Sequence, residues 1–125
     1  MGYSGKDRAY FQGHYPNLVL PPSLPDGGWW NRPFEERQQR WERARRVLAE
    51  LIKRHGDSLD RVGVVMHGGF YNYFIKTLLG IDPDQDVWFV MSNAAITRID
   101  FSAEEVRLIY QNRLDFMPSE LLTAG

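Results

Sequence analysis

Between residues 34 and 55, Trp41, Ala44, Leu48, Leu51 and His55 recur at helical spacing, and Val47 and Ile52 widen the stripe. Pro33 suits a first helical turn, Glu35 and Glu36 suit its positive end, and Gly56 is a natural stop. The pattern predicts a helix over 34–55, with Glu36/Arg40, Glu42/Arg46 and Glu50/Arg54 placed to pair along its surface. "RVGVVM" (61–66) reads as a short buried strand. "GGFYNYFIKTLLG" reads as a second helix that turns Phe70, Phe74, Ile75 and Leu78 inward and ends at Gly80. Helix, strand and helix in succession predict a parallel sheet covered by helices. After the turn "DPDQD" and the run "VWFVMS", the segments "AAITRIDFS" and "EVRLIYQNR" alternate apolar and polar positions. They predict an antiparallel pair at the sheet's edge. The tail "LDFMPSELLTAG" reads as a turn of helix or an ordered strap.

Residues 1–33 show little periodicity, and "LPPSLPDGGWWNRP" crowds prolines and glycines into a long loop. Trp29 and Trp30 pin that loop to something. It either lines a site or wraps the surface of the core. The expected organisation is one α/β domain over 1–125, with a loop-rich segment 1–33 and an α/β body 34–125.

Composition narrows the classes of function. The 125 residues suffice for one domain with a core. A net charge of −1 exerts no general pull on nucleic acid or an anionic membrane. Five arginines lie between Arg37 and Arg46, but interleaved glutamates make that face a salt-bridged, solvated one. With no cysteine, disulfides and thiolate metal sites are excluded, which fits a cytoplasmic protein. The longest apolar runs are far too short to span a bilayer, and the N-terminus lacks a signal-peptide core. No metal, cofactor, nucleic-acid partner or membrane partner is expected.

Two His-Gly pairs are the candidates for chemistry. Arg54-His55-Gly56 falls at the end of the first helix, where a histidine and a glycine are routine structural choices. His67-Gly68-Gly69 stands where a strand ends and a helix begins, the edge at which α/β sheets bind ligands. Gly68 and Gly69 let a ligand approach the backbone and offer N–H groups at a helix N-terminus, a natural anion site. The local pattern leaves two readings for His67: a phosphate ligand, or a hydrogen-bonded histidine in a capped turn.

"VVMHGGF", "NAAITRIDF" and "LIYQNRLDFMPSELLT", with "GGWWNRP" ahead of the long helix, resemble the C-terminal half of the histidine phosphatase (phosphoglycerate mutase-like) superfamily. The resemblance implies a three-layer α/β sandwich, mainly parallel with an antiparallel edge, present here as an incomplete C-terminal portion. It implies a parent protein that hydrolyses or moves phosphate on small metabolites through a phosphohistidine. His67 matches the family's second histidine, which steadies the transferring phosphoryl group. Gly68 matches a residue whose backbone N–H holds phosphate, and Asn93 matches a residue at the pocket rim. The family's nucleophile belongs to an "RHG" motif that ends an early strand. His55 copies its letters but ends a helix, so the role is not carried over. The second arginine and the acidic proton donor have no counterpart either. The isolated chain is therefore expected to be inactive, to bind phosphate or a small phosphorylated metabolite, and to form a homodimer or pair with the missing N-terminal segment.

Two other readings compete with this one. The chain is also consistent with a non-catalytic phosphate-binding or assembly module. A fragment of an α/β-hydrolase is disfavoured, because Gly2-Tyr3-Ser4-Gly5 has the wrong spacing for a nucleophile elbow. Neither a G-x-G-x-x-G nor a Walker A run occurs, which disfavours a nucleotide-binding fold.

Overall fold

A computed structural model of the chain describes residues 5–28, 33–102 and 104–123. The chain divides into two compact units, Met1–Phe34 and Glu35–Gly125.

In the first unit, a short helix α1 (Arg8–His14) stands where loop alone was expected. Its cause is local. Asp7 caps it by accepting the Tyr10 N–H at 2.8 Å, and His14 in its last turn bonds the Tyr10 carbonyl at 2.9 Å and stacks on the Tyr10 ring. Seven residues carry too few turns for periodicity to reveal. The Arg8 guanidinium then donates to the carbonyls of Pro21 and Leu24 at 2.8 and 2.9 Å, which folds the proline-rich loop back on the helix. Trp29 and Trp30 lie outside the described residues.

The second unit opens with α2 (Arg37–His55). It starts later than Pro33 suggests, because Glu36 and Gln39 form a reciprocal capping box. Of the three surface pairs expected, Glu50–Arg54 forms an ion pair, at 2.6 Å. Arg43 instead reaches Glu35 at 2.8 Å, and Arg40 bonds the Glu35 carbonyl. The helix ends at Gly56, whose backbone is right-handed. Glycine is required there for space, since a Cβ would lie 2.5 Å from the Ile52 carbonyl oxygen.

Helix α3 (Gly68–Leu79) packs on α2. The core is Trp41 and Ala44 from α2 with Tyr71, Phe74 and Ile75 from α3. Ala44 and Ile75 are fully buried, and the Trp41 and Tyr73 rings meet edge to face at 5.0 Å. A buried side chain of Ile75's size contributes about 1.5–3 kcal/mol. Phe70 and Leu78 are half-buried at the margin of this contact rather than at its centre. Gly80 stops the helix in the left-handed conformation (φ 66°), and the Ile81 N–H returns to the Lys76 carbonyl at 2.9 Å.

Strands β1 (Ile96–Phe101) and β2 (Val106–Arg113) form the expected antiparallel pair. The register slips on both sides of Thr97–Arg98. That irregularity lies where the Thr97 hydroxyl meets the Tyr71 hydroxyl at 3.1 Å, tying the hairpin to α3. A single turn of 3₁₀ helix, Ser119–Leu121, accounts for the helical tail.

The fold is thus α/β, but the parallel sheet and its three layers are not assembled among the described residues. Residues 61–66, read from the sequence as a buried strand, pair with no other strand there. Val62, Val64 and Val65 stand exposed. A β-branched run supplies strand propensity, but a ladder needs a neighbour, and none reaches it among the described residues. "VWFVMS" meets a different fate. Amide side chains take four of its backbone groups: Asn72 bonds the Phe89 N–H and carbonyl, Gln111 the Val90 carbonyl, and Asn112 the Ser92 N–H.

Candidate functional site

His67 is the N-cap residue of α3, with extended backbone (φ −77°, ψ 148°). Its carbonyl accepts the Tyr71 N–H at 2.9 Å, which starts the helical ladder. Its ring is exposed, caps nothing and has no hydrogen-bond partner among the described residues. The arrangement is therefore not that of a histidine held by its own turn.

Gly68 and Gly69 are the first two helical residues. Together with Phe70 they carry the N–H groups that an α-helix leaves without partners at its start. No acidic side chain occupies this first turn, so the positive end of the helix is uncompensated there. Gly69 has open space around it. Gly68 abuts the next segment, and a Cβ on it would lie 3.5 Å from the Met91 carbonyl oxygen.

Asn93 follows the segment that makes this contact. Residues 89–91 are held against α3 by Asn72 and by the close approach of Met91 to Gly68. Asn93 follows Met91 by two residues, a reach of at most about 7 Å. It lies in a turn closed by the Ala95 N–H on the Ser92 carbonyl, with Ala94 left-handed (φ 59°). Its amide is engaged, donating to Thr123 Oγ1 at 3.0 Å, so any ligand there competes with the tail.

Two contributors escaped sequence reasoning. Asn72, only 2% exposed, donates to the Gly68 carbonyl at 3.1 Å and the Phe89 carbonyl at 2.9 Å, and accepts the Phe89 N–H at 2.7 Å. It links the glycine turn to the segment that carries Asn93. An amide on the inward face of an apolar helix was the available signal. The second is Arg43, whose guanidinium lies 3.8 Å from the Phe70 ring centroid, braced by Glu35. It clamps the first turn of α3, with its charge largely answered by Glu35.

His55 ends α2, and its Nδ1 lies 2.8 Å from Asp60 Oδ2. That hydrogen bond, with help from Ser58, holds the Asp60 carboxyl below its usual pKa. His55 thus has a side-chain partner, whereas His67 has none among the described residues. Among the described residues, no group of three or more His, Cys, Asp or Glu is placed to hold a metal ion. No helix there is long and apolar enough to cross a membrane.

A helix start with no acidic side chain in its first turn, with His67 at its cap and an antiparallel hairpin tied to the same helix, gives an α/β protein whose glycine turn is a candidate anion site. Comparison with known families makes this specific: the sequence model of the histidine phosphatase superfamily (branch 1) matches residues 3–113. The chain belongs to that superfamily, and its kind is that of a phosphatase or phosphomutase domain. No curated protein and no solved structure shows significant similarity to it.

Proposed function

We propose that the chain is the C-terminal part of a cytoplasmic histidine phosphatase or mutase-like domain that acts on phosphate esters of small metabolites through a phosphohistidine. The observation that carries this reading is the exposed His67, without a hydrogen-bond partner among the described residues, at the cap of a helix with no acidic side chain in its first turn. In it, the His67 ring donates to a phosphoryl oxygen, and the Gly68 and Gly69 N–H groups share the remaining charge. Asn93 borders the site.

Within this reading the isolated chain binds phosphate but barely turns over. Phosphoryl transfer through an enzyme intermediate also needs a nucleophile and a proton donor for the leaving oxygen. The other histidines are His14, bonded to Tyr10, and His55, bonded to Asp60. In subtilisin, loss of the nucleophile alone costs about 10⁶ in rate. The rest of a three-layer domain, supplied by further chain or by a second copy in a homodimer, would pair along residues 61–66. The exposed Val62, Val64 and Val65 support that pairing.

Amide NMR with inorganic phosphate tests the site. Saturable shifts at Gly68, Gly69 and the His67 ring are expected, and His67→Ala should remove them. Phosphate binding that leaves these signals unmoved would overturn the assignment. The purified chain should show negligible hydrolysis of p-nitrophenyl phosphate. Phosphohistidine on this chain, lost in His55→Ala, would return the nucleophile role to His55.

A further inference from the structure

Residues 61–66 lead directly into His67, and their backbone N–H and C=O groups make no hydrogen bond among the described residues. Their side chains alternate. Val62 and Val64 are 46% and 45% exposed and Met66 is half-buried, whereas Val65 is fully exposed and Arg61, Gly63 and His67 lie in solvent. A period of two is that of an extended segment with one face on its own unit and the other outward. Such a segment, with its backbone groups unpaired, is a template for a strand from another chain. Arg61 stands at its start with no ion pair or hydrogen bond among the described residues.

A second copy of the chain fits this edge in one register. Two copies related by a two-fold axis pair antiparallel, with the axis normal to the ladder. Facing residues share a face of the sheet, so the axis passes through one residue, which then faces itself. Centred on Val64, the ladder sets Val64 on Val64, Val62 on Met66 and Gly63 on Val65, which matches apolar with apolar and small with large. Centred on Gly63, it sets Arg61 against Val65 and Asp60 against Met66. Centred on Val65, it is cut short, because Val62 would face Gly68, which is already helical. The Val64 register sets the partner's Arg61 across from His67 on the outward face, with Cβ atoms about 5 Å apart. Asp60 stands beyond the ladder, since the residue it would face is Gly68, and its carboxylate is bonded to His55 at 2.8 Å.

We propose that two copies pair antiparallel along residues 61–67 about Val64, and that each lends Arg61 to the other's His67 site, so that phosphate is bound between them. The inference rests on the reading of the His67 turn as a phosphate site and adds the residue that completes it. A neutral histidine and a few backbone N–H groups answer only part of a phosphate's charge. A guanidinium brings a full positive charge and donors spaced for two phosphate oxygens. Without the anion, Arg61 faces His67 with nothing to attract them, and they repel where the imidazole is protonated. An edge ladder of this length falls short of the roughly 1,000 Å² that a stable interface buries, so the free dimer is weak. Phosphate held by both copies tightens the dimer, and by linkage the dimer tightens phosphate by the same factor.

The test is sedimentation of the full chain over a range of concentrations, with and without inorganic phosphate at matched ionic strength. Phosphate should strengthen dimerisation by at least about fivefold, and Arg61→Ala should abolish that increase. Val64 faces itself in this register, so Val64→Glu and Val64→Lys should each be monomeric, and an equal mixture of the two should dimerise. A chain that stays monomeric with phosphate, a dimer indifferent to phosphate, or a phosphate effect that survives Arg61→Ala overturns the proposal. So does a Glu/Lys mixture that stays monomeric while the native chain pairs. A monomer whose Gly68 and Gly69 amides still shift with phosphate overturns this inference and leaves the phosphate site standing. A Glu/Lys mixture that pairs while those amides ignore phosphate overturns the phosphate site, and the role of Arg61 with it. The phosphate comparison uses the native chain, so it decides the question even if a Val64 variant does not fold.

Discussion

Replacing Asn72 by alanine removes three hydrogen bonds. Its amide nitrogen donates to the carbonyls of Gly68 and Phe89, and its oxygen accepts the Phe89 N–H. Each such bond contributes about 1 kcal/mol net, and a donor or acceptor left buried and unpaired costs about 1–3 kcal/mol. Phe89 is only half-buried, so water can answer part of what is lost. The expected cost of Asn72→Ala is therefore about 2–4 kcal/mol, a large share of the roughly 5–15 kcal/mol of a typical domain. Urea unfolding measures the total, and hydrogen exchange of the Phe89 amide shows whether the damage is local. Asn72→Asp sharpens the test. It keeps the acceptor for Phe89 but turns a carboxylate toward two carbonyl oxygens, so the protonated acid is the form the folded state prefers. Its folded pKa is then raised, and stability should fall as pH rises from the ordinary aspartate value of about 3.9. A loss below about 0.5 kcal/mol for Asn72→Ala, with Phe89 exchange unchanged, would refute the view that this amide organises the site.

Three positions give further predictions. Gly80→Ala places a side chain at φ 66° and should cost about 1 kcal/mol, whereas Ala94→Gly relieves a left-handed alanine (φ 59°) and should move thermal stability the opposite way. For the loop after α2, the hydrogen bond from His55 and then that from Ser58 hold the Asp60 carboxyl below 3.8. The associated stability is present above that value and is lost as pH falls through the lower folded value. A carbon-detected titration of Asp60 should show the low midpoint, and His55→Ala should raise it toward 3.8.

Where structure depends on neighbours in the chain, the sequence was sufficient. The stripe from Trp41 to His55 specified α2, Gly80 ended α3, and alternation in "ITRIDF" and "VRLIYQNR" specified the hairpin. The placement of His67 at a helix start was equally legible, because a glycine pair ahead of an apolar helical run is a local signal. Contacts between distant segments were not. Glu35 pairs with Arg43, outside the three pairs expected along α2, and the amides of Asn72, Gln111 and Asn112 bond backbone groups of residues 89, 90 and 92. The same limit explains residues 61–66. Valine spacing encodes a preference for extended backbone, but the hydrogen bonds that make a strand belong to two segments at once. Only the tertiary structure decides whether the second segment is there.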